Sequence, residues 1–226
     1  MTSNAPDRKY FKRVPPGSLA EKLTLMARDR IYTGFMRLCA PARDAAILDV
    51  GVSNFPHPAA NVLERKYPHA SCLTAAGMGK GDGFREMFPQ VRYVQLAPDG
   101  PLPFANDEFA IAIANAVLEH VGSADKQRVF LGELTRVARA AFVVVPNRLF
   151  PVEHHTMIPL LHYAQGPFRL ACRLTGQDEW AAPENLILMT RRKCLALAKG
   201  LGQVQCGYTG IPMGPFSSNI YLYIKK

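Results

Sequence analysis

Two stretches decide the fold: AAILDVG, residues Ala45 to Gly51, and LPFANDEFAIAIANAVLEHV, residues Leu102 to Val121. In the first, Ile47 to Val50 is a short run without the polar alternation of a half-exposed strand, so it reads as a strand buried on both faces of a parallel sheet. Gly51 follows at once, where the backbone must turn tightly. In the second, a turn precedes Phe109 to Ala114, again apolar on both faces. Asn115 ends that strand, and Leu118-Glu119-His120 begins a helical turn.

Strands and helices alternate around these two stretches. Ser18-Leu-Ala-Glu21 has capping-box spacing. Leu19, Leu23, Met26, Phe35 and Leu38 then supply the apolar face of a helix that Pro41 ends. A helix is expected over Ala59 to Lys66, a strand over Ser71 to Ala75, a loose glycine-rich turn over 77–83 and a strand over Val91 to Leu96. Val129, Phe130, Leu134 and Val137 lie at helical spacing in a helix expected over Ala124 to Ala138, and Ala141 to Val145 is the next strand. Residues 147–183 break the rhythm and read as an insertion over the strand ends. Glu184 to Lys199 reads as a helix with Gly200 as its C-cap. Gln203 to Tyr208 and Asn219 to Ile224 are the last strands. The segment TGIPMGPFSS between them is too short for a crossover helix, so they pair antiparallel.

The chain of 226 residues is 48% hydrophobic, enough for one sizeable core, and carries a net charge of +9. Such a charge attracts acidic partners. The basic residues are dispersed, however, and no aromatic residues interleave with them, so nucleic acid is not the expected partner. Five cysteines with no close pair fit neither a zinc site nor a disulfide framework. Reduced thiols, the absence of a long apolar run and a basic N-terminal segment without an apolar signal core all point to a cytoplasmic location. Nothing in the pattern specifies an oligomeric state.

Taken with the strand Phe142 to Pro146, the order and spacing of AAILDVG and LPF…F…NAVLEHV resemble the class I, Rossmann-like S-adenosylmethionine-dependent methyltransferases over roughly residues 45–150. The resemblance implies an α/β fold with a seven-stranded, mostly parallel sheet and an antiparallel last strand. Residues 1–44 would form an N-terminal arm and helix, and residues 45–226 the methyltransferase-like domain, with a cap inserted after strand five. It also implies S-adenosyl-L-methionine as cofactor. The cofactor would lie over Asp49, Gly51 and Ser53, along Ala76, Gly77, Met78 and Ala97, and beside Asn115, Ala116 and His120.

Departures from the family pattern are equally informative. The glycine-rich loop G-x-G-x-G reads Gly51-Val-Ser53-Asn-Phe55. The acid usual after strand two, which pairs with the ribose hydroxyls, is replaced by Thr74-Ala-Ala-Gly77. The acid usual after strand three has no clean counterpart, because Ala97-Pro98 stands there. A hydrogen bond to a charged group contributes roughly 1.5–3 kcal/mol. Losing one weakens cofactor affinity by roughly ten- to a hundredfold.

The segment PVEHHT, Pro151 to Thr156, follows strand five, where a substrate pocket is expected. A neutral histidine suits general-base work near physiological pH, so His155 and then His154 are the candidate catalytic residues. Glu153, His120 and His162 are metal-ligating types, but their spacing matches no helix-face ligand pair, and no metal is expected. Some class members with unassigned or sugar- and lipid-related substrates carry a similar P-N-R-x-F-P-x-E-x-H-T-x-x-P-x-x-H string, here Pro146 to His162. The apolar residues Met157 to Tyr163 are core, a lid over an apolar acceptor, or a surface for peripheral membrane contact.

The expected function is therefore methyl transfer to a small-molecule or sugar- or lipid-linked acceptor. The rival is a non-catalytic methyltransferase-like binding module with weakened cofactor binding, which the missing acids favour. A nucleic-acid methyltransferase is the third reading, motivated by charge alone. It lacks the N/D-P-P-Y/F tetrapeptide, since strand four ends Asn115-Ala-Val-Leu.

Overall fold

A computed structural model of the chain describes residues 17–182 and 184–226. Residues 1–16 of the expected N-terminal arm lie outside the described residues, as does Pro183. Helix α1 (Leu19–Cys39) starts at its capping signal. Ser18 Oγ accepts from the Glu21 N–H at 3.1 Å, and the Glu21 carboxylate reaches back to the Gly17 N–H at 2.6 Å. Ala40 takes the left-handed conformation that ends the helix, just before Pro41.

Seven strands follow: β1 (Ile47–Val50), β2 (Leu73–Gly77), β3 (Arg92–Gln95), β4 (Phe109–Asn115), β5 (Ala138–Pro146), β6 (Gln203–Met213) and β7 (Phe216–Lys225). They form one sheet in the order β3-β2-β1-β4-β5-β7-β6. β1 to β5 are parallel, and β7 pairs antiparallel with both β5 and β6. The double-sided burial inferred for the central strands follows from the period of two. Ala112 and Ala114 of β4, with Val143 and Val145 of β5, face one layer; Ile111, Ile113, Phe142 and Val144 face the other. The first layer carries α4 (Ala124–Val137) through Leu131 and Leu134 and α7 (Arg191–Leu197) through Cys194. The second carries α1 through Ile31 and Phe35, with α2 (Val62–Lys66) and α3 (Asp82–Met87) beside it.

Several elements differ from the sequence reading. The helix expected from Ala59 starts only at Val62, because Asn61 sits at φ 51° and spends its side chain on the backbone of Ser53. Strand β2 is shifted toward Gly77. The glycine-rich stretch yields helix α3 directly after Gly81, whose φ of 82° sets the turn. The helix expected over Glu184 to Lys199 shrinks to α7. Ile187 N–H bonds the Glu119 carbonyl and Arg148 N–H the Met189 carbonyl, which holds the preceding residues extended until Thr190 caps the helix. The helix ends at Leu197, so Gly200 lies beyond its cap. Most of TGIPMGPFSS is strand, with a register shift between Thr209 and Pro212 and a turn at Gly214.

Between β5 and α7 the chain forms α5 (Gln165–Leu174) and α6 (Asp178–Ala181) over a small core of Ile158, Phe168, Cys172, Trp180 and Leu186. No helix among the described residues is long and apolar enough to cross a membrane.

Candidate functional site

The strand order reverses between β1, which continues to β2, and β4, which lies on its other side. In open parallel sheets the crevice outside the carboxyl ends at such a point is the ligand site. Here it opens into a cavity of about 980 Å³. Asp49 and Gly51 from β1, Asn115 and Ala116 from β4, and Ala27, Arg28 and Ile31 from α1 line it. His154, His155 and Trp180 from the segment after β5 close its far wall, with Pro212 and Met213 at the end of β6.

At the β1 end, Asp49 faces Glu64 of α2. Burial first, and then the Glu64 charge, push the Asp49 carboxyl well above its usual range. Burial raises Glu64 to about 7. No donor serves either Glu64 oxygen among the described residues, so the two carboxyls can bond each other only when one keeps a proton. A folded-state pKa above the unfolded value contributes stability below about pH 4.5, and this is lost as pH rises through about 7. Glu64→Gln is therefore expected to stabilise the protein by about 2 kcal/mol at pH 8 and by little at pH 4.5. Thermal melts at the two pH values check this. An equal gain at both, or a loss at pH 8, would show that the pair does not share a proton.

Arg28 is the residue the sequence reading missed at this end. It belongs to the inward stripe Ala27, Ile31 and Phe35, where a charged residue is out of place on an apolar helix face. Its guanidinium makes no hydrogen bond among the described residues. Its charge is felt at Asp49, His154 and His155.

The residues expected to hold the cofactor divide into two groups. Asp49, Gly51, Ser53, Met78, Asn115, Ala116 and His120 line the cavity. Gly51 has φ 95°, and a Cβ there would lie 2.2 Å from Val117 Cγ2, so only glycine fits. Its N–H is spent on the Ala76 carbonyl at 2.8 Å. Ala116 sits at φ 59°, and Asn115 Oδ1 is buried without a hydrogen bond among the described residues. Ala76, Gly77 and Ala97 lie outside the cavity wall. Ala76 is packed in the core, the Gly77 carbonyl accepts from Leu96 N–H, and Ala97 is exposed.

The histidine segment is organised by Glu153, 4% exposed. Its carboxylate accepts from the N–H of His155 and Thr156, from Thr156 Oγ1 and from His155 Nδ1 at 2.9 Å. Burial works to raise Glu153, but the His155 charge and these hydrogen bonds hold it well below the usual carboxylate range. Burial also opposes a charge on His155, yet Glu153 beside it raises His155 above its ordinary value. His154 is brought down to about 4, mainly by burial, and is neutral near pH 7. Burial likewise lowers His120, whose Nδ1 lies 2.8 Å from the Asn185 carbonyl. His120 and His155 meet edge to face at 4.8 Å, with the Trp180 ring 4.9 Å from His155. Glu119 lies behind them, and its ligand atom falls within 4.8 Å of theirs. His162, by contrast, turns away and bonds the Arg148 carbonyl at 2.9 Å.

No protein-family model matches the sequence, and no curated protein matches it. Solved structures do match in fold. A SAM-dependent methyltransferase from Aquifex aeolicus aligns with a TM-score of 0.57 at 12% identity, over 97% of this chain and 98% of its own. Magnesium protoporphyrin IX methyltransferase from Synechocystis PCC 6803, solved with bound SAH, gives 0.61 at 12% identity over 97% and 94%. The 1,6-didemethyltoxoflavin-N1-methyltransferase of Burkholderia thailandensis, solved with 1,6-didemethyltoxoflavin and S-adenosylhomocysteine, gives 0.54 at 14% over 87% and 76%. The chain thus has the class I, Rossmann-like methyltransferase fold.

Proposed function

We propose that the chain binds S-adenosyl-L-methionine at the β1/β4 edge and transfers its methyl group to a small-molecule or sugar- or lipid-linked acceptor in the same cavity. The observation that carries this reading is the continuity of that cavity. One space joins the Gly51 turn and Asp49 to His154 and His155. Its size suits a cofactor and a small acceptor together.

When bound, the cofactor supplies an electrophilic methyl group on a sulfonium that is already a good leaving group. The chain's own residues then mainly bind and orient. Asp49 and Asn115 Oδ1 offer acceptors for an ammonium group. Arg28 offers a planar cation for a carboxylate. Residues 147–182 act as a cap, in which Val152, Met157 and Trp180 exclude water from the acceptor end. His155, held by Glu153, and His154 beside it activate the acceptor. The five free cysteines fit the proposed cytoplasmic setting.

The alternative is a binding module without catalysis. The observation that favours it is the nucleoside side of the site, where Ala76 and Gly77 end β2 without a carboxylate. Calorimetry with S-adenosylhomocysteine separates the two. Saturable binding is expected, weakened ten- to a hundredfold in Arg28→Gln through loss of a charge-assisted contact. No heat and no thermal shift up to millimolar ligand would hand the site to the module reading. Unchanged affinity in Arg28→Gln would remove the assignment of that residue.

A further inference from the structure

We propose that Glu119, His120 and His155 form a binding site for a divalent transition-metal ion in the wall of the cavity. One ligand atom from each lies within 4.8 Å of the others, and His155 Nε2 stands 4.0 Å from Glu119 Oε1. Tetrahedral zinc bonds of about 2.0–2.2 Å place ligand atoms about 3.3–3.5 Å apart. The three side chains need to close by little more than an ångström.

The ring orientations are those of metal ligands. His120 Nδ1 faces the Asn185 carbonyl, and His155 Nδ1 faces the Glu153 carboxylate. Both partners are acceptors, so each Nδ1 carries a hydrogen, and the neutral form of each ring presents its lone pair at Nε2. A carbonyl or carboxylate behind each histidine is the outer arrangement that fixes and strengthens metal-bound imidazoles.

Glu119 is the independent observation. It is 1% exposed, and neither carboxylate oxygen accepts a hydrogen bond among the described residues. A buried carboxylate left in that condition is costly unless a cation meets it. Glu119 stands at the position and Glu153 behind His155, and two negative charges so placed favour a divalent ion. Arg28 is the nearby cation that opposes binding, and its charge reaches His155. Two imidazoles and one carboxylate suit transition metals over magnesium or calcium. His120 and His155 also line the cavity, so a coordination position would open toward it. The ion site stands on this geometry alone. Only the use of that open position, to hold an acceptor oxygen or nitrogen, rests on the methyl-transfer reading.

The test uses the full chain stripped with a chelator, then titrated with Zn²⁺ against a chromophoric competitor. One equivalent is expected to bind, with affinity lowered about 100-fold or more in Glu119→Gln and in His120→Ala, each shown to be folded by its melt. Co²⁺ should give a visible spectrum without a thiolate charge-transfer band. Failure to bind, unchanged affinity in the folded Glu119→Gln protein, a thiolate band placing the ion at the cysteines, or tighter binding of Mg²⁺ than of Zn²⁺ would each overturn the proposal. S-adenosylhomocysteine titrated into the same samples reads the cofactor site separately. A lost metal site with retained cofactor binding therefore counts against this inference alone.

Discussion

His155→Ala is expected to lower methyl-transfer turnover by about 10²–10⁴-fold, the range for removing a group that activates a nucleophile. The side chain lines the cavity, 5% exposed, with Nδ1 held at 2.9 Å by Glu153 and its other edge toward His120 and Glu119. The groups that hold the ring include Glu153 of its own loop, His120 at the β4 exit and Trp180 of α6, all away from the β1 end of the cavity. Affinity for S-adenosylhomocysteine should consequently stay close to that of the parent protein. The loss should fall on kcat, whether the imidazole takes the acceptor's proton or works through a bound ion. Steady-state kinetics with an accepted substrate and calorimetry with the cofactor product measure the two separately. Unchanged turnover, or a loss confined to cofactor affinity, would remove His155 from the acceptor end.

Glu153→Ala should show the largest stability loss, about 3–5 kcal/mol, because it leaves the buried His155 ring and two backbone N–H groups without their acceptor. For a chain of this size that corresponds to a fall in Tm of about 6–20 °C. The carboxylate gathers four donor groups within three residues, and Met157 at φ 58° depends on the turn they make. Glu153→Gln should recover part of the loss, since an amide oxygen still accepts some of these hydrogen bonds. A melt within 2 °C of the parent for Glu153→Ala would mean that the loop holds its shape by packing on Trp180 and Phe150 instead.

Much of the architecture was legible because it rests on local chemistry. The apolar runs at β1, β4 and β5 have no polar face to offer water, so they had to be central parallel strands. The short link before β7 forced an antiparallel partner. Helix boundaries were less legible where a long-range bond competes with local propensity. Asn61 gives up a helical turn to brace Ser53, and residues 184–190 give up theirs to bond Glu119 and Arg148. Nothing near those positions in the chain announces the partner.

The site divides in the same way. Asp49, Gly51, Asn115 and the histidine pair were visible because a strand end, a glycine turn and a titratable cluster are each features of a few consecutive residues. Glu64 and Arg28 were not. Each reaches Asp49 only because a helix lays it against β1, and a lone charge in an amphipathic helix is ordinarily a solvated one. Glu119 and His155 are separated by 35 residues, and only the parallel pairing of β4 with β5 brings their loops to one edge of the sheet. Patterns of hydrophobicity and turn chemistry are set by neighbours along the chain, so the sequence by itself determined the sheet, its order of elements and the edge where the proposed site lies. Charge partners and side-chain clusters are set by neighbours in space, so the facing carboxyls of Asp49 and Glu64, the Arg28 charge felt at Asp49 and the Glu119-His120-His155 cluster were decided only when the sheet closed around them.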